Sequence, residues 1–249
     1  MIGLLRVALV AVPLTLWQAS RIIWASFRKS PRLPCMCEEI PRAWARALLR
    51  AAGTRVELEG EEQIDPDRPQ VLVANHVSWF DVLVLAGYLP GRYRFVGKEE
   101  LTRVPFFGPA WQACGHIAID RGDRNRAIQS LGVARTLLER DRPTVIFFPE
   151  GTRSPTGELR SFKKGAFVLA IQTGVDVVPA AILGSRDVMA KGSWMIRTGR
   201  TVRVRFGPPL SVEGLGVEDR DELTRRGRDA VAALLQRPPD DRIEDGEAR

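Results

Sequence analysis

Hydrophobic residues crowd the first 27 positions, MIGLLRVALVAVPLTLWQASRIIWASF, and the stretch 7–17 carries no charge. A spanning helix needs roughly 20 apolar residues to cross about 30 Å of hydrocarbon. Here Arg6 and Arg21 have only 14 residues between them, about 21 Å of helix, and Pro13 is expected to kink or interrupt it. On a helical wheel Arg6, Arg21 and Arg28 fall within about 60° of one another. This favours a helix lying in a membrane interface, with a spanning or re-entrant helix and a buried core helix as the competing readings. A secretory signal fits less well, because no small-x-small cleavage site follows.

After a Pro-rich link at 30–34 comes EEIPRAWARALLRAAG. Its helical spacing puts Ile40, Trp44, Ala47, Leu48 and Ala51 on one face and Arg42, Arg46 and Arg50 on another. That suits a second membrane-surface helix; the alternative is a helix that packs on the domain with a solvated basic face. From residue 54 onward the period switches. Short β-rich runs at 55–59, 71–74, 93–96, 117–119, 144–148, 177–183 and 202–206 alternate with helical patterns at 80–88, 106–114, 125–140, 162–172 and 218–235. The expected fold class is therefore α/β, a single domain with a largely parallel central sheet flanked by helices. Ahead of it stands an N-terminal two-helix membrane-interface segment. The boundaries read as 1–53 for the helices, 54–236 for the domain and 237–249 for a charge-rich tail expected to be disordered.

With 249 residues, 45% apolar and 27% charged, the chain can bury a real core, which excludes disordered and collagen-like classes. The net charge of +7 sits at one end: residues 1–55 hold nine basic groups against Glu38 and Glu39. A basic, apolar N-terminus points to anionic lipid headgroups. Cys35, Cys37 and Cys114 lack the paired spacing of a disulfide framework or a zinc site, so reduced thiols are expected. With only His76 and His116 in the chain, a histidine-rich metal site is not expected.

Chemistry concentrates where strands are predicted to end. The strand VLVA runs into Asn75-His76-Val77-Ser78-Trp79-Phe80-Asp81 and then a helix. His76 on the turn can fold back on Asp81 in the first helical turn. An imidazole can take a proton from a hydroxyl at neutral pH, and a carboxylate on its other nitrogen fixes the tautomer. The same spacing, Ser78-x-x-Asp81, is equally that of a capping box, in which Asp81 serves only the helix N-terminus. A second segment, Phe148-Pro149-Glu150-Gly151-Thr152-Arg153-Ser154, follows another strand, with Arg153 suited to bidentate phosphate binding. Lys98 and Arg121 follow strands in the same way, so the three form either an anion cradle or separate solvated charges.

P-loop, G-x-G-x-x-G, H-E-x-x-H and G-x-S-x-G patterns are absent from the sequence, which removes the chemistries they carry. Trp79, Trp111 and Trp194 read as core or interface packing, and no nucleic-acid partner is expected.

Taken together the segments resemble the 1-acyl-sn-glycerol-3-phosphate acyltransferase (lysophosphatidic acid acyltransferase) family of the glycerolipid acyltransferases. Residues 75–81 match its N-H-x4-D block, 95–121 (FVGKEEL, PFFG, IAIDR) its second, 148–154 its F-P-E-G-T-R-S block and 177–180 (VVPA) its fourth. The resemblance implies His76 as general base oriented by Asp81, and Arg153 as holder of the acceptor's phosphate. Glu150, Gly151 and Thr152 would shape the acceptor site, with Lys98 and Arg121 as further phosphate candidates. It also implies an acyl-CoA or acyl-carrier-protein donor, a lysophospholipid acceptor, no cofactor and no metal. Together with the N-terminal segment it leads to an expected place on the cytoplasmic face of the membrane, bound to the lipid surface. Three alternatives stay open: another acceptor such as lyso-ornithine lipid, a lipid hydrolase with Ser78 as nucleophile, and a non-catalytic peripheral lipid-binding module.

Overall fold

A strand that is apolar at every position needs cover on both faces, and the central strands of this chain have it. The computed structural model describes residues 2–120 and 122–238. Its strands are β1 (Arg55–Glu59), β2 (Gln70–Ala74), β3 (Tyr93–Lys98), β4 (Ile117–Ile119), β5 (Thr144–Phe147), β6 (Val177–Leu183) and β7 (Thr201–Phe206). The helices are α1 (Ile2–Phe27), α2 (Leu33–Ala51), α3 (Phe80–Tyr88), α4 (Phe107–Ala113), α5 (Arg124–Arg140), α6 (Gly165–Thr173), α7 (Ser185–Val188) and α8 (Arg220–Gln236). The sheet order is β1-β7-β6-β2-β5-β3-β4, and every pairing is parallel except β6 with β7.

Alternation along β2 shows the layering. Val71 and Val73 join a core with Leu138 of α5, Phe167 of α6 and Val231 of α8, whereas Leu72 and Ala74 join one with Leu49 of α2 and Val84 and Leu85 of α3. Five strands thus run parallel with their carboxyl ends at one edge, where an open α/β sheet leaves its binding crevice. The connection through α7 turns β7 back against β6, and β1 lies parallel to β7. Register places Arg203 opposite Glu57 and Arg205 opposite Glu59, and each pair is ion-paired, at 2.6 Å and 2.8 Å. The buried Arg205 also donates to Leu234 O at the end of α8.

The N-terminal helices differ from expectation in three ways. α1 continues through Pro13, and the helix over Leu4–Phe27 is long and apolar enough to cross a membrane by length and composition. One side of it nevertheless packs on protein: Ala19 and Ile22 are buried with Ile40 of α2 and Ala110 of α4, and Trp44 Nε1 donates to Thr15 Oγ1 at 2.8 Å. The opposite side exposes Leu5, Leu9, Val12 and Leu16, with Trp17 and Trp24 stacked beneath Arg21 and Arg28.

Second, α2 begins earlier than expected, at Leu33, with a proline in its first turn where a missing N–H costs nothing. Two of the three arginines of its basic stripe are tied to protein, and Arg50 is exposed. Arg42 donates to Leu89 O and Gly91 O, and Arg46 to Gly87 O at 2.7 Å, so both satisfy carbonyls at the end of α3. With Ala45 and Leu49 in the central core, α2 is a structural layer of the domain.

Third, Cys37 and Cys114 form a disulfide between α2 and the end of α4, with Cα atoms 5.1 Å apart, whereas Cys35 is free and exposed. This corrects the expectation of reduced thiols for that pair. A sequence separation of 77 residues hides such a pairing from spacing rules. Residues 239–249, most of the tail expected to be disordered, lie outside the described residues.

Candidate active site

Where β2 ends, its hydrogen bonding is handed to a side chain. Asn75 Nδ2 donates to Ile182 O at 2.9 Å and Ile182 N–H donates to Asn75 Oδ1 at 2.7 Å, so the amide extends the ladder toward β6 while the main chain turns away. The turn that follows is wound around one carboxylate. Asp81 Oδ2 accepts from Val77 N–H at 2.7 Å and Ser78 N–H at 2.8 Å, and lies 2.8 Å from His76 Nδ1. Its other oxygen accepts from Ser185 Oγ of α7. Asp81 therefore performs both tasks that its spacing allowed, capping the turn and holding the imidazole.

A carboxylate oxygen only accepts, so the contact places the imidazole proton on Nδ1 and leaves the lone pair on Nε2. Asp81 is fully buried and the His76 side chain is 14% exposed. Among the described residues Nε2 has no partner. The ring stacks on Phe148 with centroids 4.1 Å apart, and Phe148 in turn lines a cavity of about 200 Å³ with Pro149, Gly151 and Lys163. The imidazole is thus fixed from behind by Asp81 and on one face by Phe148, and its side chain stays partly exposed.

The loop after β5 locks onto the same turn. Glu150 Oε1 accepts from His76 N–H at 2.7 Å and Oε2 from Arg160 N–H at 3.2 Å, while Ser154 N–H donates to His76 O at 2.7 Å. Glu150 is buried, and that burial raises its pKa above the ordinary 4.5, opposed by the two amides. Its carboxylate is occupied as a brace between two loops. Gly151 sits at φ 77, a left-handed conformation that favours glycine. Thr152 is exposed.

Arg153 lies over the Trp79 ring at 4.9 Å, where burial holds its pKa below the ordinary range and Asp81 opposes that shift. Arg153 and His76 are thus carried by loops that hydrogen-bond to each other. Lys98 is placed differently: it ends β3, and its amine pairs with Glu100 at 2.7 Å on the surface. Arg121 lies outside the described residues, so convergence of three cations is not seen. Lys191 was missed by sequence reasoning; its amine donates to Arg153 O at 2.7 Å. Ser185 was missed too, since nothing local ties either residue to the His76 turn. Trp111 is buried as expected, but Trp79 and Trp194 are exposed.

Ser78, the alternative nucleophile, is buried, and its hydroxyl donates to Met189 O at 2.7 Å. Within the second block a Cβ at Gly108 would lie 2.1 Å from Thr102 O, so glycine allows the close approach at the start of α4.

Residues 55–183, which carry all of these contacts except those of α7, Met189 and Lys191, match the Acyltransferase family. This chain belongs to that family. The chain is 38% identical over 185 residues to 1-acyl-sn-glycerol-3-phosphate acyltransferase alpha of Bos taurus, covering 74% of this chain and 64% of that protein. It is 32% identical over 228 residues to the 1-acyl-sn-glycerol-3-phosphate acyltransferase of Pseudomonas aeruginosa, covering 88% and 87%. It also resembles the crystal structure of the 1-acyl-sn-glycerophosphate acyltransferase PlsC from Thermotoga maritima, with a TM-score of 0.76, 26% identity and coverage of 96% and 97%. The chain spans 64–65% of the length of the mammalian relatives. The family and the α/β fold read from the sequence are borne out.

Proposed function

We propose that this acyltransferase moves a fatty acyl group from a thioester donor, acyl-CoA or acyl-carrier protein, to the free hydroxyl of 1-acyl-sn-glycerol-3-phosphate, giving phosphatidic acid. The observation that carries the chemistry is His76, tethered at Nδ1 by Asp81, with Nε2 unpartnered among the described residues. The names of the relatives support the acceptor. Nε2 takes the hydroxyl proton as that oxygen attacks the thioester carbonyl. Collapse of the tetrahedral intermediate expels the thiolate, which recovers the proton from the imidazolium that Asp81 stabilises. Transfer is direct, with no acyl-enzyme. Arg153, stacked on Trp79, holds the acceptor's phosphate, and Glu150 acts one step back by fixing the His76 main chain.

The exposed apolar side of α1 fits the lipid surface, where its bordering Arg21 and Arg28 meet headgroups. A lysolipid keeps its chain in the bilayer because each CH2 returned to water costs about 0.8 kcal/mol. A catalyst seated on the cytoplasmic face reaches the acceptor without extracting it.

The test is a transfer assay with the purified full chain, offering lysophosphatidate, lyso-ornithine lipid and other lysophospholipids against acyl-CoA and acyl-carrier protein. Phosphatidic acid formed from lysophosphatidate in preference to the rest is the expected product. Preference for an acceptor without phosphate would overturn the role given to Arg153.

A further inference from the structure

Between α7 and β7 the chain projects a loop over 189–200 whose frame is fully braced. Ser193 N–H donates to Ala190 O at 3.1 Å across a turn with Gly192 at φ 81, and Met195 N–H donates to Ser193 Oγ at 3.0 Å. Ile196 is buried, and Arg197 N–H donates to Val188 O at 2.9 Å, closing the base. What this frame displays is Trp194, 76% exposed, and Met195, 57% exposed. Two large apolar side chains held rigidly in water cost free energy unless something covers them.

The charge around the tip indicates what covers it. Residues 188–212 contain five Lys or Arg and no Asp or Glu. Arg203 and Arg205 are consumed by Glu57 and Glu59 inside the sheet. Arg197 and Arg200 are exposed and, among the described residues, pair with no carboxylate. An apolar tip with an indole at its centre and unpaired cations at its base complements an anionic bilayer surface.

The roots of the loop tie this surface to the site. Met189 O accepts from Ser78 Oγ at 2.7 Å in the His76 turn, and Lys191 Nζ donates to Arg153 O at 2.7 Å. At the other end Gly199 N–H donates to Gly53 O at 3.0 Å, just beyond α2. Met189 packs on the same apolar cluster as Leu4 and Val7 of α1. The loop therefore runs from the His76 turn to the end of α2.

We propose that the Trp194–Met195 tip is a second bilayer contact, inserting into an anionic lipid surface and holding the mouth of the His76–Arg153 site against it. The inference rests on the acyl-transfer reading given above. Its test compares the full-length wild type with a Trp194→Ser, Met195→Ser double variant in two measurements. One is partition onto vesicles of phosphatidylglycerol and phosphatidylcholine and onto vesicles of phosphatidylcholine alone. The other is acyl transfer to long-chain lysophosphatidate in the anionic vesicles and to a short-chain, water-soluble lysophosphatidate.

The double variant should lose about tenfold in partition onto anionic vesicles. Turnover on the embedded acceptor should fall in step, while the rate on the soluble acceptor stays unchanged. Unchanged partition, or an equal loss of rate on both acceptors, would overturn the proposal. If the wild type acylates neither acceptor, the acyl-transfer reading fails while the partition comparison still decides the membrane contact.

Discussion

One oxygen of Asp81 lies 2.8 Å from His76 Nδ1 while also accepting the amides of Val77 and Ser78. Orientation of the imidazole and closure of the turn are thus a single interaction, and they fail together. Asp81→Asn is expected to lower kcat by about 10² to 10⁴ through loss of the correct tautomer. It should also cost about 1 kcal/mol or more in a denaturant titration through loss of the cap. A stability loss with unchanged kcat would reduce Asp81 to a capping residue.

Ser78 is set apart from the chemistry by its partner, Met189 O. Ser78→Ala removes one buried hydrogen bond, so a stability loss of about 1 kcal/mol with kcat still within about tenfold of wild type is expected. A covalent acyl adduct trapped on Ser78 would instead establish the hydrolase mechanism.

The Arg153 guanidinium lies over the Trp79 ring, 4.9 Å from its centroid. Lys at this position keeps the charge but loses both the stacked plane and the bidentate fork. Arg153→Lys is expected to raise KM for the phosphate-bearing acceptor by about tenfold or more with a smaller change in kcat. Equal effects on acceptors with and without phosphate would contradict the assignment.

The second histidine has the opposite character. His116 Nδ1 accepts from Phe95 N–H at 3.0 Å, its ring stacks on Trp111 at 5.2 Å, and burial, with Arg94 nearby, pushes its pKa down to about 3. The unfolded chain protonates this residue near 6.5, so between that value and 3 unfolding takes up a proton. Stability linked to His116 is complete above pH 6.5 and is lost as pH falls through that window, by at most about 1.4 kcal/mol per pH unit. His116→Asn, which keeps an acceptor for Phe95, should flatten this slope in urea titrations. A slope unchanged by the substitution would contradict neutral burial.

Much of this arrangement was legible in the sequence, because periodicity reports burial. The runs at 55–59, 117–119 and 177–183 coincide with β1, β4 and β7's neighbour β6, and the helix at 80–88 with α3. The sequence set His76 and Arg153 on loops after strands, and the structure brings those two loops into contact. Partners supplied from far along the chain were not legible. Ser185 reaches Asp81 across 104 residues and Lys191 reaches Arg153 across 38. No local pattern encodes either contact. The basic stripe of α2 misled for a related reason: a helical wheel shows that arginines share a face, not whether that face meets solvent or the carbonyl end of α3. The reversal of β7 was equally hidden, since strand direction is decided by its connection through α7.

The most direct test of the account is the turnover of His76→Ala with an unchanged melting transition. The geometry predicts a loss of at least about 10² in kcat, the part of the rate that a positioned general base supplies. Retention of more than about a tenth of wild-type turnover by a folded variant would contradict proton abstraction by His76.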